Sequence, residues 1–290
     1  EIRPLAMPPM PPRPARRRPR PRTQPLAEIA DRHRLYELAV QDAAAEVAFV
    51  DRTFRRLRGR PPETLREDFC GTAAVCTEWV RTRRSRRAWG CDLDPEVLDW
   101  GRRNNLARLA PDQAARVTLL QDDVLQAQTE PVDALLAMNF SYWTFKDRAT
   151  LERYFRRARE ALCADGVLFL DAFGGYDAFR ELEEPREIDE AGWRFTYIWD
   201  QARFDPLANH LVCHIHFAFP DRSRIDAAFT YDWRLWTLPE LRELLDEAGF
   251  ARVTVYWQGF DRDGEPSGRF RPVTKGEADA GWIVYITAEK

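Results

Sequence analysis

The chain has 290 residues, 44% of them hydrophobic and 31% charged, with 44 Lys and Arg against 47 Asp and Glu. These are globular proportions with ample core material, and the near balance excludes a charge-driven nucleic-acid binder over the whole chain. No run approaches the roughly 18 consecutive apolar residues of a membrane span. Five scattered cysteines, an odd number, argue against a disulfide scaffold and suit a reducing compartment. No secretory apolar segment stands out, so the expected location is the cytoplasm.

Residues 1–25 hold nine of the 20 prolines and seven Arg against one Glu. Such a segment favours polyproline II or disorder and is expected to be a solvated tail. The alternative is a basic arm for RNA or an acidic protein partner. From Leu26 the period becomes helical: Ile29, Leu35, Leu38, Ala39, Val47 and Phe49 suit amphipathic helices, giving a helical cap over residues 26–63. Strands are expected at Thr64–Phe69, Arg87–Asp92, Arg116–Leu120, Val132–Met138 and Val167–Phe173, the last after an Asp165-Gly166 turn. Helices lie between them, one starting at Asp94-Pro95-Glu96 and another spanning Asp147–Leu162. Strands alternating with helices, several apolar on both faces, imply a mostly parallel sheet covered on both sides.

Between residues 190 and 236 the rhythm breaks. Arg194–Trp199, His210–Phe219 and Ile225–Trp233 alternate like an antiparallel insert, separated by Asp205-Pro206 and Pro220-Asp221 turns. The chain then returns to α/β. Thr237-Leu-Pro-Glu240 is a capping box, Leu238 to Ala248 form an apolar stripe, and two last strands follow at Ala251–Gly259 and Gly281–Ala288.

Acids gather at strand ends: Glu67-Asp68 before Phe69-Cys70-Gly71-Thr72, then Asp92, then Asp122-Asp123. In an open parallel sheet, ligands bind beyond the carboxyl ends of the strands where strand order reverses. A carboxylate after the second strand can accept both hydroxyls of a ribose. One after the third can accept from an adenine amino group. A glycine at the first strand-to-helix turn lets backbone approach a ligand. Together they point to an adenosine ligand.

On these residues the chain from about Leu65 onward resembles the class I S-adenosylmethionine-dependent methyltransferases. Glu67-Asp68-Phe69-Cys70-Gly71-Thr72-Ala73 is similar to that family's first motif, with Phe69 and Ala73 where its outer glycines usually stand. Gly90-Cys91-Asp92-Leu93-Asp94 resembles the ribose-binding motif, and Gln121-Asp122-Asp123-Val124 the adenine-contacting segment. Met138-Asn139-Phe140 falls at the loop beside the methyl group. The resemblance implies a Rossmann-like α/β fold, a mostly parallel seven-stranded sheet with the last strand antiparallel, plus a small antiparallel β insert. It implies S-adenosyl-L-methionine as cofactor, held by Glu67, Phe69, Cys70, Gly71, Thr72, Asp92, Leu93, Asp122, Asp123, Val124, Met138 and Asn139. The insert is similar to that of small-molecule N-methyltransferases, which implies a small-molecule methyl acceptor.

The competing reading is a nicotinamide-dependent dehydrogenase. It needs G-x-G-x-x-G at the first turn so that backbone can meet a pyrophosphate. Glu67–Ala74 supplies one glycine and two carboxylates, which would repel a pyrophosphate yet favour a sulfonium-bearing amino acid. Two further alternatives are a methyltransferase acting on RNA or protein through the basic tail, and a cofactor-binding protein without turnover.

For the acceptor, the expected pocket combines the loop Asn139–Trp143 with aromatic residues of the insert. Asn139 and Tyr142 orient the acceptor, Tyr36 acts as a lid, and Trp143, Tyr231 and Trp233 line the site. His214 or His216, on one strand face, is the reserve base for a hydroxyl acceptor. His210, His214, His216 and Cys213 lack further ligands with metal-site spacing, so no metal is expected.

Overall fold

The computed structural model describes residues 24–260 and 266–290, so nearly all of the proline- and arginine-rich tail lies outside the described residues. The helical cap comprises α1 (Leu26–Ile29), α2 (Arg32–Ala39) and α3 (Ala43–Arg58). Asp31 caps α2 by accepting from the His33 and Arg34 N–H groups, and Asp42 caps α3 by accepting from Ala45. Gly59, at φ +69°, ends α3 in the left-handed conformation that suits glycine.

The main sheet begins with β1 (Thr64–Asp68), β2 (Arg87–Asp92), β3 (Val117–Gln121), β4 (Val132–Ala137) and β5 (Leu162–Gly174), all parallel. Helices α4 (Ala74–Thr82), α5 (Pro95–Asn104), α6 (Pro111–Ala114) and α7 (Arg148–Ala161) lie between the strands. The second sheet is antiparallel: β6 (Leu182–Glu190), β7 (Trp193–Asp205), β8 (His210–Ala218) and β9 (Arg224–Arg234). After it come α8 (Leu238–Glu247), β10 (Arg252–Phe260), β11 (Pro266–Val273) and β12 (Trp282–Glu289). Thr237 and Glu240 form the expected capping box at the start of α8. The order across the main sheet is β11-β10-β12-β5-β4-β1-β2-β3, with β12 antiparallel between β5 and β10. Strand order reverses at β1, whose neighbours are β2 and β4.

Alternation assigns each strand's side chains to two cores. Ala134, Leu136, Val167 and Phe169 pack under α3 and α4 with Phe54 and Trp79. Leu135, Leu168, Leu170 and Ile286 face α7 and α8 with Phe155 and Leu244. A third core joins α2 to the antiparallel sheet through Leu35, Phe195, Ile215 and Phe217.

The parallel sheet with its antiparallel last strand is as expected, but the main sheet has eight strands where seven were expected. The insert has four strands, beginning at Leu182, where three from residue 190 were expected. Both additions are edge strands, β11 beside β10 and β6 beside β7. Prolines and charges suit edges because one side of the ladder needs no donor, and they hide strand character from a pattern search. The Asp165-Gly166 turn is also absorbed: β5 runs from Leu162, with a register shift against β4.

Candidate active site

The crevice at the reversal point is built from backbone and carboxylates. The Gly71 N–H donates to Asp92 Oδ2 at 2.8 Å, and the Asp94 N–H donates to Asp92 Oδ1 at 3.0 Å. Burial pushes the Asp92 carboxyl up, while these backbone donors pull it back. Gly71 has φ +51°, and a Cβ there would meet nothing within 4 Å, so the turn is open towards the crevice. The Asp122 N–H donates to the Asp92 carbonyl at 3.1 Å, which brings the third acidic strand end beside the second. Asp123 accepts from the Leu125 N–H at 2.9 Å. Asp92, Leu93, Asp122 and Asp123 therefore lie along one rim, with Leu93 66% exposed.

The two positions that lack glycine keep a glycine-like backbone. Phe69 has φ +59° and Ala73 has φ +57°. Left-handed backbone costs an L-residue roughly 1–2 kcal/mol. The Phe69 ring packs 5.9 Å from both Phe145 and Tyr154, and Ala73 is fully buried, so packing holds both in place. The motif has lost glycines without losing its turn. Gly101 of α5 fits the same loop, since a Cβ there would come within 2.5 Å of the Thr72 carbonyl oxygen.

Below the turn the acids are committed to structure. Glu67 Oε2 accepts from the Cys76 N–H at 3.2 Å and lies 3.1 Å from its thiol; burial pushes the carboxyl up to about 7. Asp68 accepts from Arg66 at 2.6 Å and from the Tyr154 hydroxyl at 3.0 Å. Arg66 in turn donates to the carbonyls of Ala127 and Val124. Val124 is thus a buried anchor, and Cys70 is buried against Gly90.

Helix α2 roofs the crevice. Glu37 Oε1 accepts from the Thr72 hydroxyl at 2.8 Å and from the Asn105 amide at 2.6 Å. Asp31 accepts from the Trp100 indole at 2.6 Å. On the opposite side, Tyr36 lies 5.0 Å from Phe229 of β9. The cap therefore ties the first turn of the main sheet to the insert.

Beside the crevice, a cavity of about 960 Å³ opens between the two sheets and the cap. Met138, Asn139 and Phe140 form one wall, Tyr36 another, and Tyr231, Trp233 and Trp199 a third. Asn139 and Phe140 both have left-handed backbone, at φ +57° and +56°. Asp171 of β5 holds them there, accepting from the Asn139 N–H at 2.7 Å and the Phe140 N–H at 2.9 Å. Burial pushes this carboxyl up to about 7 against those two donors. Its folded value thus exceeds the roughly 3.9 of an unfolded aspartate. Its contribution to stability is fully present below pH ~4 and is lost as pH rises through ~7. Relative to Asp171→Asn, the wild type should lose unfolding free energy between pH 4 and 7 and level off above. A pH-independent difference in denaturant titrations would contradict the assignment.

Of the residues expected at the acceptor, Tyr36, Asn139, Tyr231 and Trp233 line the cavity, and Met138 joins them. Tyr142 and Trp143 do not. Both are fully buried in the core, and the Tyr142 hydroxyl donates to the Asp171 carbonyl at 2.7 Å. His214 and His216 do share a strand face, with rings 5.9 Å apart, but Ile215 between them is the residue that lines the cavity. His214 pairs with the Thr230 hydroxyl at 2.9 Å, and His216 with Asp200 at 3.2 Å and the Ala227 N–H at 3.0 Å. The expected reserve bases thus sit on the far side of the sheet. Glu37, Glu46 and Asp171 join the site without being expected from the sequence. An acid inside the apolar run Val167–Phe173, and another on the apolar stripe of α3, were the available signals.

No protein-family model matches the sequence, and no curated protein matches it significantly. Solved structures do share the fold. An S-adenosylmethionine-dependent methyltransferase from Clostridium acetobutylicum ATCC 824 aligns with a TM-score of 0.64 at 15% identity, covering 89% of this chain and 96% of its own. CalS10, an amino pentose methyltransferase from Micromonospora echinaspora, gives the same four values. The sugar N-methyltransferase KedS8 from Streptoalloteichus sp. ATCC 53650 aligns with a TM-score of 0.59 at 18% identity, covering 88% and 92%. The chain has the class I methyltransferase fold with a separate four-stranded antiparallel sheet. Among the described residues, no helix is long and apolar enough to cross a membrane.

Proposed function

We propose that the protein is an S-adenosylmethionine-dependent methyltransferase that methylates an amine on a small molecule. The observation that carries this reading is the crevice at the ends of β1, β2 and β3: an open glycine turn tied to Asp92, with Asp122 and Asp123 alongside. That set of acceptors fits the cofactor. Asp92 has acceptor capacity left for ribose hydroxyls, Asp123 for an adenine amine, and the acidic rim favours a ligand carrying an ammonium. The first turn carries one glycine where a dinucleotide-binding turn uses three to bring backbone to the pyrophosphate. The fold shared with an amino pentose and a sugar N-methyltransferase supports a small-molecule acceptor.

Bound there, the cofactor would supply a methyl group on a sulfonium, to be taken by a nucleophile in an in-line displacement. The chain's part is positioning. Asp171 fixes the Asn139–Phe140 turn, Asn139 orients the acceptor, and the rings of Tyr36, Tyr231 and Trp233 wall it off from water. Fixing reactants in line can contribute up to roughly 7–11 kcal/mol, so a neutral amine needs no strong base. The test is calorimetric titration with S-adenosylhomocysteine and, separately, with NAD+. Saturable one-to-one binding of the first and none of the second is expected; the reverse would return the chain to the dehydrogenases.

A further inference from the structure

We propose that Glu46 selects the acceptor by charge: its carboxylate receives the ammonium of an amine that enters the cavity between the two sheets and takes one proton from it, so that the nitrogen attacks the methyl carbon as a neutral amine with a free lone pair while the sulfur leaves as a neutral thioether. The proposal rests on the acceptor site described above and adds the residue that discriminates amine from alcohol.

Glu46 lies on α3, one residue from Val47 and three and four from Phe49 and Val50, the stripe that packs on the main sheet. It is 7% exposed, yet it lines the cavity. Its Oε2 is buried and has no hydrogen-bond partner among the described residues. Burying an isolated carboxylate without a partner is costly, and a glutamine of the same shape would avoid the charge. The surroundings deepen the problem. Burial raises the Glu46 pKa well above the usual carboxylate range, and Glu67, Asp171 and Asp42 all push it the same way. Two guanidinium groups line the cavity, and both have other neighbours. Arg186 donates to the Ala39 carbonyl and stacks 5.2 Å from the Tyr197 ring centre, and Arg52 lies 5.9 Å from that of Phe49.

A cationic ligand resolves every one of these features. An ammonium would give Glu46 its missing donor, offset the repulsion from Asp42 and Asp171, and meet aromatic faces from Tyr36, Tyr197 and Trp199. A neutral alcohol of the same shape would leave the carboxyl in its neutral form and gain none of the charge-assisted bond. Discrimination should then follow the strength of such a bond, about 1.5–3 kcal/mol, or about 10- to 150-fold in affinity.

The test uses the full chain saturated with S-adenosylhomocysteine and two matched probe pairs: phenethylamine with 2-phenylethanol, and glucosamine with glucose. In the wild type at least one amine should bind about 10-fold or more tightly than its neutral partner. Glu46→Gln should fold, bind S-adenosylhomocysteine as the wild type does, and lose that preference. Thermal melting checks folding, and replacement of a buried carboxyl whose Oε2 has no hydrogen-bond partner among the described residues should not lower the midpoint. Equal binding of amine and alcohol, an unchanged preference in the variant, or no amine binding while S-adenosylhomocysteine binds would each overturn the proposal. Failure of S-adenosylhomocysteine to bind either protein would overturn the methyltransferase reading itself, and this proposal with it.

Discussion

Asp92→Ala is expected to weaken S-adenosylhomocysteine binding by about 10- to 150-fold, the equivalent of about 1.5–3 kcal/mol for a lost charged acceptor. Two effects combine in that loss. The carboxylate would accept from the ribose, and it also fixes the first turn through the Gly71 N–H at 2.8 Å and its own loop through Asp94 at 3.0 Å. Asp92→Asn separates them, because an amide oxygen can still accept from one backbone N–H while the charge is gone. The asparagine variant should keep the wild-type melting temperature more closely than alanine does, yet bind the ligand more weakly than wild type. Calorimetry on both variants decides the matter. Unchanged affinity in Asp92→Ala would remove Asp92 from the cofactor site.

Trp233→Ala is expected to produce the largest loss of stability among the cavity residues. The ring is buried and stacked on Tyr231 at 4.4 Å, with Trp143, Phe140 and Trp199 at 6.0, 6.1 and 6.2 Å. Those neighbours belong to different units: Phe140 and Trp143 follow β4 in the main sheet, whereas Trp199 and Tyr231 are in the insert. Truncation of a buried tryptophan costs about 3–5 kcal/mol. At roughly 2–4 °C per kcal/mol for a chain approaching this size, the melting midpoint should fall by about 6–20 °C. Trp233→Phe should recover most of that loss, since an aromatic face remains. A shift of the alanine variant below about 2 °C would mean that the contact between the sheets does not depend on this ring.

The parts of the site that were legible in the sequence are those fixed by local chain geometry. Asp92 and Asp122-Asp123 stand at the ends of apolar strands, and parallel neighbours necessarily present those ends at one edge. The first turn was legible through Gly71, although Phe69 and Ala73 reach left-handed backbone without glycine, held by packing that no local pattern reveals. Asp171 and Glu46 were hidden for the opposite reason. Each sits inside an apolar pattern, and only the fold shows that the β5 residue and the α3 residue line one cavity. The histidines show a limit of alternation. Period two correctly placed His214 and His216 on one face, but it cannot say which face is inside, and Ile215 took the inner side. The proximity of Tyr142 and Trp143 to Asn139 along the chain suggests pocket residues. The short 3-10 turn Ser141–Thr144 instead directs both into the core.

The most direct measurement is methyl transfer itself. The protein is incubated with S-adenosylmethionine carrying an isotopically labelled methyl group and a mixture of small primary and secondary amines, with mass spectrometry of the products. Label should appear on an amine nitrogen, one S-adenosylhomocysteine should form for each methyl transferred, and Asp92→Ala should lose most of that turnover at limiting cofactor. No labelled amine and no S-adenosylhomocysteine above the protein-free control, across the whole amine mixture, would contradict the account.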